Sequence, residues 1–214
     1  AEAAFNFLEA RTAITSNGAS VRIPNANVRV EEKRGEAFGA LTWKANAKLT
    51  VDARLRLEVS EISQTGDTNA SQSFFFPKPR LLLSYAPVRQ TQIRLRLERE
   101  VGQLDFTDFA AATDFSAGLL SAGGAELQPE RAWVAEAAFE RRFWGRGALV
   151  LTAAHEEVQQ VVDRIPLGGF DAPGNIGDGE RNRLVMALTL PLDRLGVKNG
   201  LITGNATRKW SQAT

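Results

Sequence analysis

The stretch from Leu49 to Ser60 constrains this chain more than any other. Its odd positions read Leu49, Val51, Ala53, Leu55, Leu57 and Val59, and its even positions read Thr50, Asp52, Arg54, Arg56, Glu58 and Ser60. Successive side chains of a strand point to opposite faces, so an unbroken period of two means one apolar face and one charged face. A helix would need apolar groups at i, i+3 and i+4, which the run does not supply. Residues 92–101 repeat the pattern, with Ile93, Leu95 and Leu97 set against Arg94, Arg96 and Glu98. Looser versions predict nine strands, at 2–8, 27–43, 47–62, 72–86, 91–103, 130–144, 147–162, 180–191 and 200–210. Globular strands usually run ~5–6 residues. Several of these reach ten or more, the ~9–11 that a tilted strand needs to cross a bilayer.

The connections between these strands alternate in length. Short ones are expected at 44–47, 87–90 and 145–146, with a moderate one at 192–199. Long ones are expected at 9–26, 63–71, 104–129 and 163–179. A meander with short turns at one end and long loops at the other is the layout of an outer-membrane barrel. Trp43, Tyr85, Phe143 and Trp144 flank the short turns, where an interfacial aromatic girdle belongs. Arg54, Arg56, Glu58, Arg94, Arg96, Glu98, Glu100, Glu136, Glu140 and Arg142 are expected on one side of the sheet, lining a wet or plugged lumen while lipid takes the apolar side. The fold class read from the pattern is therefore all-β, an antiparallel up-and-down transmembrane β-barrel. Nine strands is an odd number, and an open sheet would leave unpaired edges in lipid. Residues 1–214 are accordingly expected to be an incomplete barrel segment.

Composition narrows the function classes. Lys plus Arg number 26 against 25 Asp plus Glu, a balance that gives no electrostatic case for nucleic acid. There is no cysteine, which excludes disulfide frameworks, zinc fingers and thiol chemistry. No run of 18 apolar residues occurs, so no transmembrane helix is expected, and barrels escape such windows anyway. His155 is the only histidine. Its neighbours Glu156 and Glu157 alternate faces, so a strand-end polar cluster is favoured over a site. Asp171, Asn175 and Asp178 lie in a Gly-rich loop, where turn chemistry is favoured over a calcium site. Glu98 with Glu100 and Glu136 with Glu140 suit ion pairing with the interleaved arginines better than paired-carboxylate catalysis. No catalytic, cofactor or metal site is expected.

The segment Gly124-Ala125-Glu126-Leu127-Gln128-Pro129-Glu130 resembles the Asn-Pro-x-Leu-x-Pro-Glu motif of TonB-dependent receptors. Leu127, Pro129 and Glu130 are kept, while Gly124 and Ala125 stand where Asn and Pro are usual. In that family the motif ends a long extracellular loop and opens a descending strand, as it would here. The strand–turn–strand text from Arg131 through Gly145 to Thr152, and the loop from Phe170 to Gly177, are similar to the family as well. The resemblance runs from about residue 27 onward and implies the later part of a barrel of about 22 strands. The family's plug domain has no counterpart in this sequence. The chain also stops at Trp210-Ser211-Gln212-Ala213-Thr214, where the family's last strand ends on an aromatic residue.

The resemblance further implies location in the bacterial outer membrane and TonB-energised uptake of a scarce nutrient, an iron chelate, cobalamin or an oligosaccharide. Its implied partners are outer-membrane lipid, the small-molecule or oligosaccharide ligand, and the TonB complex acting through a plug absent from this chain. A passive porin-like barrel and a soluble ligand-binding β-barrel remain the alternatives.

Overall fold

The structure is a computed structural model describing residues 1–214 apart from 17, 22, 115–118, 168 and 214. Nine long strands form one antiparallel sheet: β1 (Glu2–Arg11), β2 (Asn27–Lys44), β3 (Leu49–Gly66), β4 (Ala70–Val88), β5 (Thr91–Val101), β6 (Arg131–Phe143), β7 (Gly147–Gln159), β8 (Gly179–Pro191) and β9 (Leu201–Ala213). They pair strictly in chain order from β1 to β9, and among the described residues the two edge strands do not pair with each other. All nine strands expected from the alternation are present. One connection differs: the expected loop at 63–71 shrinks to 67–69, because Ser63 pairs with Ser71 and Gln64 with Ala70. Ladder pairing satisfies those backbone groups even though both faces are polar there. Gly66 ends β3 at φ 124°, and a Cβ on it would lie 2.2 Å from the Asn27 carbonyl oxygen. Only glycine accepts that approach.

The register fixes the tilt of the sheet. The transverse row that starts at Lys44, the last residue of β2, passes through Thr50, Ser84, Arg94, Ala138, Thr152 and Val185 to Thr207. Thr207 lies well inside β9, which starts at Leu201. With the turn ends level, this stagger of about six residues over about seven strand steps tilts the strands by roughly 30°, at about 3.3 Å per residue and 4.8 Å per strand. That is close to the ~35–45° of membrane barrels.

Strands β2 and β3 change polarity along their length. Toward the short turns, Leu41 and Trp43 of β2 occupy the apolar face, 65% and 60% exposed, opposite the charged face. Toward the long loops the assignment inverts. Arg29, Glu31 and Lys33 take the first face, and Val28 and Val30 are buried on the second. Ile62 repeats this on β3. These inverted positions are covered by the long connections, which carry a hairpin (Ile14–Ser16 with Ala19–Val21), a 3-10 turn (Phe106–Phe109) and a small four-stranded sheet. Among the described residues the buried apolar core lies mainly under this cap. One cluster joins Val28, Val30, Ile62, Phe109, Ala110 and Leu127. The other joins Ile23, Ala111, Ala122 and Ala172.

Candidate functional site

The charged face below the cap carries the chemistry. Arg96 sits at its centre. Its guanidinium donates to Glu98 at 2.8 Å, to Glu100 at 3.3 Å and to Glu136 at 3.3 Å. Arg183 reaches the same Glu136 carboxylate at 3.0 Å. Glu136 and Arg183 are not on adjacent strands, since Ala154 of β7 lies between them in the row. Its small side chain lets the arginine pass over, and a longer residue there would break the span. Arg80 extends the network to β4 through Glu98 at 3.5 Å, Lys78 pairs with Glu58, and Arg56 with Glu36 at 3.8 Å. Apart from the more buried Lys78–Glu58 pair, single pairs at a wetted surface of this kind contribute ~0–1 kcal/mol. Their joint effect is to hold a polar, hydrated surface at fixed register across β2 to β8. The ten charged residues expected on one side of the sheet do share it.

The carboxylates Glu98, Glu100 and Glu136 are each engaged by arginine, and Glu140 pairs with Arg142 at 2.8 Å. This is the ion-pairing expected for them. His155 lies on the opposite, outward face, with its Nδ1 2.9 Å from Asn182 Oδ1. The Asn175 amide donates to the carbonyls of Gln128 and Gln160, at 3.0 and 2.8 Å, and Asp178 accepts from the Gln160 N–H at 3.2 Å. These are turn-fixing bonds. Among the described residues no group of three His, Asp or Glu side chains is placed to hold a metal ion.

Leu127, Pro129 and Glu130, the three motif positions, clamp the cap to the wall. Leu127 is 2% exposed in the core against Val28 and Ile62. Pro129 is buried beside it. The Glu130 carboxylate accepts from the Val162 N–H at 2.9 Å and from Arg181 at 3.0 Å, while its backbone carbonyl accepts from the Gly102 N–H at 2.7 Å. One residue thus ties two long loops and β8 together.

Sequence reasoning missed the rest of the clamp. Asn25, buried at φ 57°, donates from its side-chain amide to the Gly123 carbonyl at 2.7 Å and accepts from Gln64 at 3.3 Å. Its own carbonyl accepts from the Ala111 N–H at 3.0 Å. The available signal was Val28 and Val30, apolar at positions whose parity belongs to the charged face.

Two carboxyls of the cap are shifted in opposite directions. Asp105 caps the 3-10 turn, and hydrogen bonds from the Thr107 N–H and hydroxyl hold its carboxyl below the usual aspartate range. For Asp108, burial and then the nearby Asp105 push the carboxyl up, with Arg164 opposing. A carboxyl raised on folding weakens the folded cap while ionised, and that cost disappears as pH falls through the raised value. Asp108→Asn is therefore expected to slow hydrogen exchange of the Gly124 amide, which donates to the Asp108 carbonyl, at neutral pH and not in acid. An equal change at both pH values would show that charge is not the cause.

A tilted antiparallel wall with one apolar face, an ionic opposite face, short turns at one end and a folded cap at the other defines a transmembrane β-barrel wall. Trp43, Tyr85 and Trp144 stand 60%, 43% and 43% exposed beside the short turns, in girdle position. The profile of the family "TonB dependent receptor-like, beta-barrel" matches residues 3–184, and the chain belongs to that family. It is an outer-membrane protein of the Gram-negative type. Among solved structures, the "Copper transporter OprC" superposes with a TM-score of 0.67 at 13% identity, over 86% of this chain and 29% of that one. A haemophore receptor HasR double mutant from Serratia marcescens, in complex with HasA and heme, gives 0.62 at 14%, over 86% and 35%. The FrpB iron transporter from Neisseria meningitidis gives 0.59 at 10%, over 87% and 26%. At these identities the likeness is one of fold, and the chain spans about a quarter to a third of the length of these structures. No curated protein sequence matches the chain.

Proposed function

We propose that this chain forms part of the barrel wall of a receptor that takes a scarce nutrient across the outer membrane using TonB-transmitted energy. In this reading a plug domain, encoded elsewhere in the protein, fills the lumen against the ionic face and couples it to TonB. The observation that supports it most is the Arg80–Glu98–Arg96–Glu136–Arg183 network beneath a clamped extracellular cap. Such a surface suits a polar occupant that must slide or detach, since its charges are already paired with one another and it offers no apolar face to seal against. Copper, iron and heme–haemophore complexes name the fold relatives, and a metal chelate is accordingly the first nutrient class to try, followed by cobalamin and oligosaccharides. The motif positions Leu127, Pro129 and Glu130 serve in this reading as architecture that shapes the extracellular mouth.

The test is uptake of labelled iron chelates, cobalamin and maltodextrins by cells expressing the full-length receptor, with and without a protonophore or a TonB deletion. Accumulation that ceases on either treatment is expected. Flux that continues unchanged would make the barrel a passive porin.

A further inference from the structure

We propose that the free edge of β4, from Ser71 to Phe75, is a docking site for an extended segment of a secreted polypeptide, which adds to the sheet as an extra strand. The edge is free because the ladder between β4 and β5 stops early. β4 pairs with β3 from Ala70 to Tyr85, but with β5 only from Val88 down to Arg80. Pro77 and Pro79 are the cause. A proline cannot donate, so the pairs Pro77 with Leu57 and Pro79 with Leu55 are of the non-hydrogen-bonded kind. The odd residues of β4 therefore direct their backbone groups toward β5. Leu83 opposite Leu95 and Leu81 opposite Leu97 use those groups. The next such pair would be Pro79 with Arg99, and it does not form.

Beyond that point the remaining ties turn away from the seam. Arg99, Glu100 and Val101 pair only with β6. Lys78 pairs with Glu58 of β3, and Glu100 with Arg96 of its own strand. Past Val101 the chain turns inward, where Leu104 and Phe106 join Phe74 against the core of Val28 and Val30. Among the described residues, the backbone groups that Ser71, Ser73 and Phe75 turn to the free side have no ladder or loop partner. All three residues are exposed, Phe75 by 61%. Phe75 is the last apolar residue of the outward face, so Ser71 and Ser73 stand clear of lipid at the loop end.

Sheet edges that must stay single carry charge or proline. Here proline guards only positions 77 and 79, and no charged residue lies between Asp67 and Lys78. The edge from Ser71 to Phe75 is roughly 17 Å long at about 3.3 Å per residue. A row of alternating backbone donors and acceptors is matched by another strand and by little else. Phe75, with Val59 opposite it on β3, offers apolar contact to a side chain of the added strand. A second copy of the receptor fits less well. Two copies upright in one membrane run their β4 strands in the same direction, so these edges can meet only in parallel. A separate chain can take the stronger antiparallel pairing. The long-loop end is extracellular, which makes the partner a secreted chain. This inference rests on the sheet edge and is independent of energised uptake.

The experiment follows amide exchange and peptide binding on the full-length receptor in detergent. Without peptide, the amides of Ser71, Ser73 and Phe75 are expected to exchange fast, and those of Gln72, Phe74 and Phe76, bonded to β3, slowly. The probe is a fluorescent hexapeptide of alternating valine and threonine. It is expected to bind saturably and to slow the three fast amides. The same peptide N-methylated at every residue, which cannot donate, should do neither. Ser73→Pro removes one donor from the free side at the parity already held by Pro77 and Pro79, so the β3 ladder is kept. It is expected to weaken binding about tenfold. Heat-modifiable electrophoretic mobility reports folding, and if Ser73→Pro misfolds, the methylated peptide on wild type still decides. No binding by wild type, equal binding of the methylated peptide, or unchanged binding by folded Ser73→Pro would each overturn the proposal. So would slow exchange of Ser71, Ser73 and Phe75 in the free receptor. If that protection fades on dilution, the edge is held by a second copy, and if it persists, by the rest of the same chain.

Discussion

Leu151→Arg is expected to destabilise the protein folded in lipid by about 2–4 kcal/mol, the cost of a cationic side chain near the middle of a barrel's lipid face. Thr152→Arg, one residue further along β7, is expected to change stability by no more than about 0.5 kcal/mol. The two side chains lie on opposite sides of the sheet. Leu151 is 42% exposed on the apolar face beside Phe139 and Met186. Thr152 stands on the ionic face between Ala138 and Val185, where a long side chain has room to extend into water or toward Glu136. Urea unfolding of the full-length receptor from lipid vesicles measures both. Equal losses would mean that both faces are buried in protein, and the assignment of the apolar face to lipid would fail.

Gly123→Ala is expected to open the cap while leaving the wall intact. A Cβ on Gly123 would lie 2.1 Å from the Phe109 carbonyl oxygen and 2.8 Å from the Ala110 nitrogen, both of them backbone atoms that cannot rotate away. Phe109 is 2% exposed in the core that holds the cap, and the Gly123 carbonyl accepts from Asn25. Forcing these segments apart costs about 1–3 kcal/mol, as overpacking does elsewhere. Hydrogen exchange by mass spectrometry resolves the outcome. The amides of Ala111 and Gly124, which donate to Asn25 and Asp108, should lose protection. Those of β5 and β6 should keep it. Unchanged exchange at Ala111 would show that the cap absorbs the methyl group by local shifts.

The wall was legible in the sequence and the cap was not, for physical reasons. In β3 and β5 every residue between the borders answers to one of two solvents, lipid or water, so the period of two is unbroken. Beyond that band both faces meet protein or water, and the period blurs. Val28, Val30 and Ile62 are apolar on the parity that elsewhere carries charge, because the cap covers them there. Short polar runs such as Ser63-Gln64-Thr65 look like loop, yet the ladder extends them. The cap is built from contacts between residues far apart in sequence, such as Thr12 with Ala111 and Asn25 with Gly123. Phe109, Ala111 and Ala122 have no period to reveal them. The motif positions Leu127, Pro129 and Glu130 were found by resemblance, and the structure supplies what the resemblance lacked, the Val162, Arg181 and Gly102 partners of Glu130.

The slanted row from Lys44 to Thr207 also bears on the membrane itself. On the outward face the uninterrupted apolar run covers 49–59 on β3 and 75–85 on β4, but only 149–153 on β7. At about 3.3 Å per residue and a tilt of roughly 30°, the first two span about 31 Å, a full hydrocarbon core, and the last spans about 14 Å, roughly half of one. Lipid beside β7 must therefore thin to meet the protein, at a cost of fractions of a kcal/mol per Å. A barrel with one thick and one thin flank ripples the leaflet around it, and neighbouring proteins of matching height will gather on one flank rather than the other.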